Sequence, residues 1–182
     1  MIRYLVTEPK YYGNSAVSIS SKLKLSHKKH EFDFACLRDK KTDSYESYIE
    51  EFIFTCKVLN VKEVLHNYLD LAIKYNAFGI HFSSDSFELI KKAKDNGLFV
   101  ISSTHSLCEA QKAINFGSDL ITLSPIFYSP NKANPIGLEK LKEITDKIPD
   151  KIIALGGILD DLQVESCKKA GAVGFASIRY FL

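Results

Sequence analysis

The chain has 182 residues, a hydrophobic fraction of 46%, a charged fraction of 25% and a formal net charge of +2, which fits one globular domain with a sizeable core. Lysine and arginine are spread along it, and the densest basic stretch, Lys22 to Lys29, reads as the solvated face of a helix, so nucleic acid is not an expected partner. No apolar run is long enough to span a membrane, no secretory signal is visible, and the four cysteines form no CxxC pair, which disfavours a membrane partner and a zinc site and points to free thiols in the cytoplasm.

Eight short apolar runs alternate with segments of helical period. The runs are Ile2 to Val6, Phe32 to Leu37, Glu63 to His66, Phe78 to Phe82, Leu98 to Ser102, Leu120 to Leu123, Ile152 to Leu155 and Gly174 to Ile178. They are rich in Ile, Val, Leu and Phe, as strands buried on both faces tend to be. Between them, Asp43 with Glu46 and Ser106 with Glu109 have the spacing of capping boxes. Tyr45, Ile49, Phe52, Ile53 and Cys56 share one helical face, as do Leu107, Ala110 and Ile114. Asp160 or Asp161 can cap a helix with Leu162, Cys167 and Ala170 as its inner face. Helix ends are expected at Asn76-Ala77, Asn96-Gly97, Phe116-Gly117 and Ala170-Gly171, where a left-handed residue stops the helix.

Strand alternating with helix predicts a parallel sheet. Eight strands, with no GxGxxG after the first, favour a closed barrel over an open doubly wound sheet. The fold expected is therefore α/β, a compact (β/α)8 TIM barrel of one domain (residues 1–182) lacking the usual final helix, since Arg179 to Leu182 alone follow the eighth strand here. Tyr180, Phe181 and Leu182 are expected to fold back over part of the barrel wall. A second subunit is expected to cover the rest, making a homo-oligomer.

In such a barrel the site lies at the C-terminal ends of the strands. Polar residues collect at those ends: Thr7 and Glu8, then Arg38, Asp39 and Lys40, then His66 and Asn67, then His81, Ser83, Ser84 and Asp85, then Ser103 and His105. Gly156-Gly157 after the seventh strand lets backbone N–H groups approach a phosphate. The loop from Ser124 to Gly137 carries Pro125, Pro130 and Pro135 and reads as a lid, with Lys132 at its centre able to reach an anion. A small phosphorylated molecule is the expected ligand.

The stretches Tyr4-Leu5-Val6-Thr7, Leu37-Arg38-Asp39-Lys40, Gly79-Ile80-His81-Phe82, Ser103-Thr104-His105, Ser124-Pro125-Ile126-Phe127 and Ile153-Ala154-Leu155-Gly156-Gly157-Ile158 occur in a telling order. Asn67 leading into Asp70-Leu71-Ala72, and Lys132 with Gly137-Leu138, complete the set. Through them the chain resembles the thiamine phosphate synthase/TenI family over nearly its whole length. The resemblance implies a place in thiamine biosynthesis. Synthases of the family join a pyrimidine diphosphate to a thiazole phosphate with Mg²⁺ and release pyrophosphate. Carried over, Arg38, Lys40 and Asn67 would hold the diphosphate, Lys132 would assist the leaving group, and Gly157 would bind the thiazole phosphate through its backbone.

The chain also departs from the synthase pattern. Cys36 stands where the synthases have Gln, and Tyr68 where they have an Asp that binds the metal. The second acidic position falls on Ser86, leaving Asp85, one residue early, as the metal-ligand candidate. Arg179 replaces a phosphate-holding Ser. TenI-type tautomerases move a proton on a thiazole phosphate and need no pyrophosphate site, but the position of their acid/base histidine falls on Pro125. His105 and His81 are the replacements by position, with Ser103, Gly156 and Arg179 completing the substrate site. The leading expectation is a TenI-like protein that binds a thiazole phosphate and isomerises it. The alternatives are a Mg²⁺-dependent synthase and a non-catalytic phosphate binder.

Overall fold

A computed structural model describes residues 1–39, 45–130 and 133–182 of the chain. Its strands are β1 (Ile2–Val6), β2 (Phe34–Leu37), β3 (Lys62–His66), β4 (Gly79–Phe82), β5 (Phe99–Thr104), β6 (Leu120–Leu123), β7 (Ile152–Leu155) and β8 (Gly174–Ser177). Each pairs in parallel with the next, and β8 pairs with β1, so the sheet closes into a barrel. Helices α1 (Pro9–Tyr12) and α2 (Ala16–Lys29) link β1 to β2. The remaining crossovers carry α3 (Ile49–Val58), α4 (Leu69–Lys74), α5 (Ile90–Asp95), α6 (Leu107–Phe116), α7 (Gly137–Lys147) and α8 (Asp161–Lys169).

Side chains alternate across each strand, so closure sorts them into two cores. Tyr4, Val6, Phe34, Cys36, Val64, Ile101, Leu120, Ile153 and Ala176 fill the barrel interior. Their neighbours along the strands, such as Leu5, Ala35, Leu65, Val100, Ile121 and Phe175, face outward and pack under Phe52, Ile90 and Leu141 of the helices. Strands made of apolar residues at every position are thus explained by burial on both faces.

Several local expectations hold. Lys22, Lys24, Lys28 and Lys29 are exposed on α2. Asp160 caps α8, accepting from the Gln163 backbone N–H at 2.9 Å. Asn76, Gly97, Gly117 and Gly171 all have positive φ at helix ends. Others need correction. Strand β5 runs on to Thr104, so Ser103 lies inside it and not after it. Leu162 is 81% exposed while Cys167 is fully buried, because five residues along a helix turn a side chain by roughly 140°, away from a shared face. The Ser106 hydroxyl accepts from the Glu109 N–H, but the Glu109 carboxylate reaches the N–H of His105 instead of closing a box on Ser106. Asp43 lies outside the described residues; Glu46 sits in a 3₁₀ turn, Tyr45–Tyr48, that leads into α3.

After β8 the chain turns back on the outer wall. Phe181 is fully buried, stacked on Phe175 with ring centres 5.7 Å apart and edge-on to Phe32 at 5.6 Å. The Tyr180 hydroxyl donates to the Asp161 carboxylate at the start of α8, and Lys29 donates to the Leu182 carbonyl. Two aromatic side chains therefore fill the space between α8 and the end of α2, whereas Leu182 stays 39% exposed. No described helix is long and apolar enough to cross a membrane. Removing the Phe181 ring leaves a cavity that stacked rings cannot close. Phe181→Ala is expected to cost about 3–5 kcal/mol of stability, read from urea unfolding; a loss under about 1 kcal/mol would show that the tail carries no core packing.

Candidate active site

Because all eight strands run the same way, their C-terminal ends open into one mouth, a cavity of about 640 Å³. Its floor is polar but uncharged. His81 points inward from β4 and is 3% exposed. Its Nδ1 lies 2.9 Å from the Tyr4 hydroxyl and its Nε2 lies 3.0 Å from the Ser103 hydroxyl, with the Thr122 hydroxyl at 3.5 Å. The His66 ring is 5.7 Å away. Burial, followed by the nearby His66 and Arg38, holds His81 well below the ordinary histidine range. Burial likewise raises the Tyr4 phenol and pushes the Cys36 thiol up to about 12. Near neutral pH the floor is a network of neutral donors and acceptors, and Cys36 is a buried thiol rather than a nucleophile.

His105 is placed differently. It is exposed on the wall of the mouth, just after β5, and its Nδ1 lies 2.8 Å from the Ser124 carbonyl oxygen. A carbonyl can only accept, so Nδ1 carries the proton and the neutral ring keeps its lone pair on Nε2.

Arg38 follows β2 and lines the mouth with its guanidinium paired to the Glu8 carboxylate. Its backbone N–H donates to the Thr7 hydroxyl at 2.8 Å. Arg179, after β8, lines the mouth on the other flank of β1 and is exposed. Gly156 and Gly157, after the neighbouring β7, line the mouth with φ of 100° and 71°. A Cβ on Gly156 would meet Pro125 Cα at 2.8 Å, and one on Gly157 would meet the Tyr128 carbonyl oxygen at 2.5 Å. The loop after β6 is laced to this turn, with Ile126 N–H on the Leu155 carbonyl and Phe127 N–H on that of Gly156, both at 2.9 Å. The paired glycines are thus required by the close approach of that loop, quite apart from any phosphate.

Asn67 and Tyr68 are both engaged by neighbouring side chains. Asn67 has a left-handed backbone and spends its amide on Ser83, donating to the hydroxyl at 2.9 Å and accepting from the N–H at 2.8 Å. It is a fastener between the ends of β3 and β4. Tyr68 packs against Tyr45 with ring centres 4.4 Å apart and planes tilted by 36°. Lys40 and Lys132 lie outside the described residues. The sequence reading gave no role to Lys10 and Tyr11, which line the mouth from α1; Pro9 at the first helical position was the available signal.

Among the described residues the donor set is a poor fit for Mg²⁺. Asp85 is exposed at the mouth and accepts from the Ser86 hydroxyl. Glu8, the other carboxylate lining the mouth, is paired with Arg38. Mg²⁺ is usually held by one or two carboxylates together with phosphate oxygens and waters, and of the two described carboxylates lining the mouth only Asp85 is not paired with a cation.

Fold and mouth together define a (β/α)8 barrel protein whose candidate site is the cavity at the C-terminal ends of its strands. The chain belongs to the thiamine monophosphate synthase family, which residues 4–181 match. It is 33% identical over 186 residues to "Putative thiamine-phosphate synthase 2" of Aquifex aeolicus, covering 98% of this chain and 96% of that one. It is 36% identical over 119 residues to a thiamine-phosphate synthase of Anaeromyxobacter dehalogenans, a match that spans 62% of this chain and 53% of that protein. The solved thiamine phosphate pyrophosphorylase from Pyrococcus furiosus has the same fold, with a TM-score of 0.81 at 24% identity over 97% of this chain and 85% of that one.

The buried histidine yields a pH prediction. Its folded value lies below the unfolded one of about 6.5, so the fold favours the neutral ring; nothing is lost above about pH 6.5 and stability falls as pH drops below it. One excluded proton accounts for up to about 1.4 kcal/mol per pH unit. Urea unfolding at pH 7.5, 6.5 and 5.5 should show this slope in the wild type and a shallower one in His81→Asn. Parallel profiles would place the acid sensitivity elsewhere.

Proposed function

We propose that this protein binds a thiazole phosphate at the mouth of the barrel and isomerises it by proton transfer at His105. The observation that carries the reading is the 2.8 Å contact between His105 Nδ1 and the Ser124 carbonyl. It prepares one tautomer, with Nε2 as the base, on a wall of the same cavity as Gly157 and Arg179. The phosphate is assigned to that side, where Arg179 supplies a fixed positive charge. Nε2 then takes a proton from one position of the thiazole ring and returns it to another, so no proton is gained or lost overall. The Ser124 carbonyl steadies the imidazolium formed in between. Ser103, fixed by its bond to His81, offers a hydroxyl to the substrate. His81 is too deeply buried and too well satisfied to accept a proton readily, which leaves His105 as the base of choice.

The second reading is a thiamine phosphate synthase, and it is supported by the full-length likeness to the Aquifex protein. It has to contend with a mouth whose described carboxylates are Asp85 and a Glu8 already paired with Arg38. Without Mg²⁺, a departing pyrophosphate lacks much of its charge neutralisation.

Turnover of the purified protein separates them. Interconversion of the thiazole phosphate isomers in the presence of EDTA, slowed about 10²–10⁴-fold by His105→Gln, is the expected result. Brisk Mg²⁺-dependent formation of thiamine phosphate from the pyrimidine diphosphate and thiazole phosphate would establish the synthase instead. Phosphate binding is checked separately: a phosphate ester should raise the melting temperature, and Arg179→Ala should weaken that effect.

A further inference from the structure

We propose that Glu8 is a specificity determinant that sets the mouth to take a monophosphate in preference to a diphosphate. The inference rests on the phosphate-binding reading above and deepens it.

The described lining of the mouth carries two arginines in opposite electrostatic states. The Arg179 guanidinium, on the Gly157 side, is exposed and has no hydrogen-bond or ion-pair partner among the described residues. The Arg38 side chain is only 20% exposed, and its Nη1 is engaged by the Glu8 carboxylate. This pair is anchored at both ends. The Arg38 N–H donates to the Thr7 hydroxyl at 2.8 Å, and that hydroxyl faces the Arg38 carbonyl at 3.3 Å. The Glu8 carbonyl accepts from the N–H groups of Tyr11 and Tyr12 at 2.9 and 3.0 Å, fixing it to the start of α1.

The consequence follows from charge. An anion that reaches Arg38 either displaces the Glu8 carboxylate or binds beside it, and in both cases it meets Glu8 as a like charge. The repulsion grows with the charge on the ligand. A monophosphate seated at Arg179 leaves the Glu8–Arg38 pair intact; a diphosphate that reaches from Arg179 across the end of β1 to Arg38 does not. Glu8 therefore discriminates by counting charge, and it does so with a residue to which the sequence pattern assigned no role.

The test is calorimetric titration of inorganic phosphate and inorganic pyrophosphate, without Mg²⁺, into the wild type, Glu8→Gln and Glu8→Ala. Coulomb's law for one removed charge at partly screened separations of several ångströms corresponds to roughly tenfold tighter pyrophosphate binding. Phosphate binding should tighten by about threefold or less. Adding Arg38→Gln to Glu8→Gln should cancel the gain, as coupling between contacting residues requires. Melting curves confirm that each variant is folded; two variants guard against a peculiarity of either. If phosphate binds and pyrophosphate affinity is unchanged, or both anions gain equally, the role of Glu8 is overturned. If the wild type binds no phosphate at all, the phosphate-binding reading fails and this inference falls with it.

Discussion

Closure of the sheet through the β1–β8 pair is the constraint on which everything else depends. It leaves no edge, so every strand is buried on both faces, and the alternation of side chains has to serve two cores at once. It also aims eight strand ends at one mouth. Residues as far apart in sequence as Glu8, Arg38, His81, His105, Gly157 and Arg179 come to line a single cavity for that reason alone.

Within that cavity, depth separates two kinds of chemistry. The floor, built by Tyr4, His81, Ser103 and Thr122, is satisfied internally by hydrogen bonds between neutral groups. A charge there would have to be stripped of water with no partner. The rim, built by Glu8, Arg38, His105 and Arg179, stays in contact with solvent and can hold charge. The floor fixes shape and hydrogen-bond polarity, and under the proposed function the rim selects the anion and carries the proton. The Ser103 hydroxyl belongs to both, since it lines the cavity while bonded to His81.

Much of the fold was legible in the sequence because its signals are local. Eight apolar runs, left-handed helix ends at Asn76, Gly97, Gly117 and Gly171, and the Asp160 cap each follow from a few neighbouring residues. Leu162 misled because hydrophobicity was read without its angle on the helix. The site was legible as a set of positions, not as a set of bonds. Nothing near Asn67 in the chain says that its amide is spent on Ser83, and nothing near His105 says that its ring leans on the Ser124 carbonyl. Glycines 156 and 157 suggested a phosphate cradle, yet their local necessity is the loop that presses on them. Such pairings join strands that meet only after the barrel has closed.

The β1–β8 pair has one more consequence. Every other strand partner is the next strand along the chain, so those pairings close short loops, while this one joins segments separated by nearly the full length of the sequence. It is the pairing with the largest loop entropy to overcome. Until it forms, the molecule presents two parallel edges that are built to fit each other. The bond that gives the barrel its inside is therefore also the one that leaves two matched edges open until folding is complete.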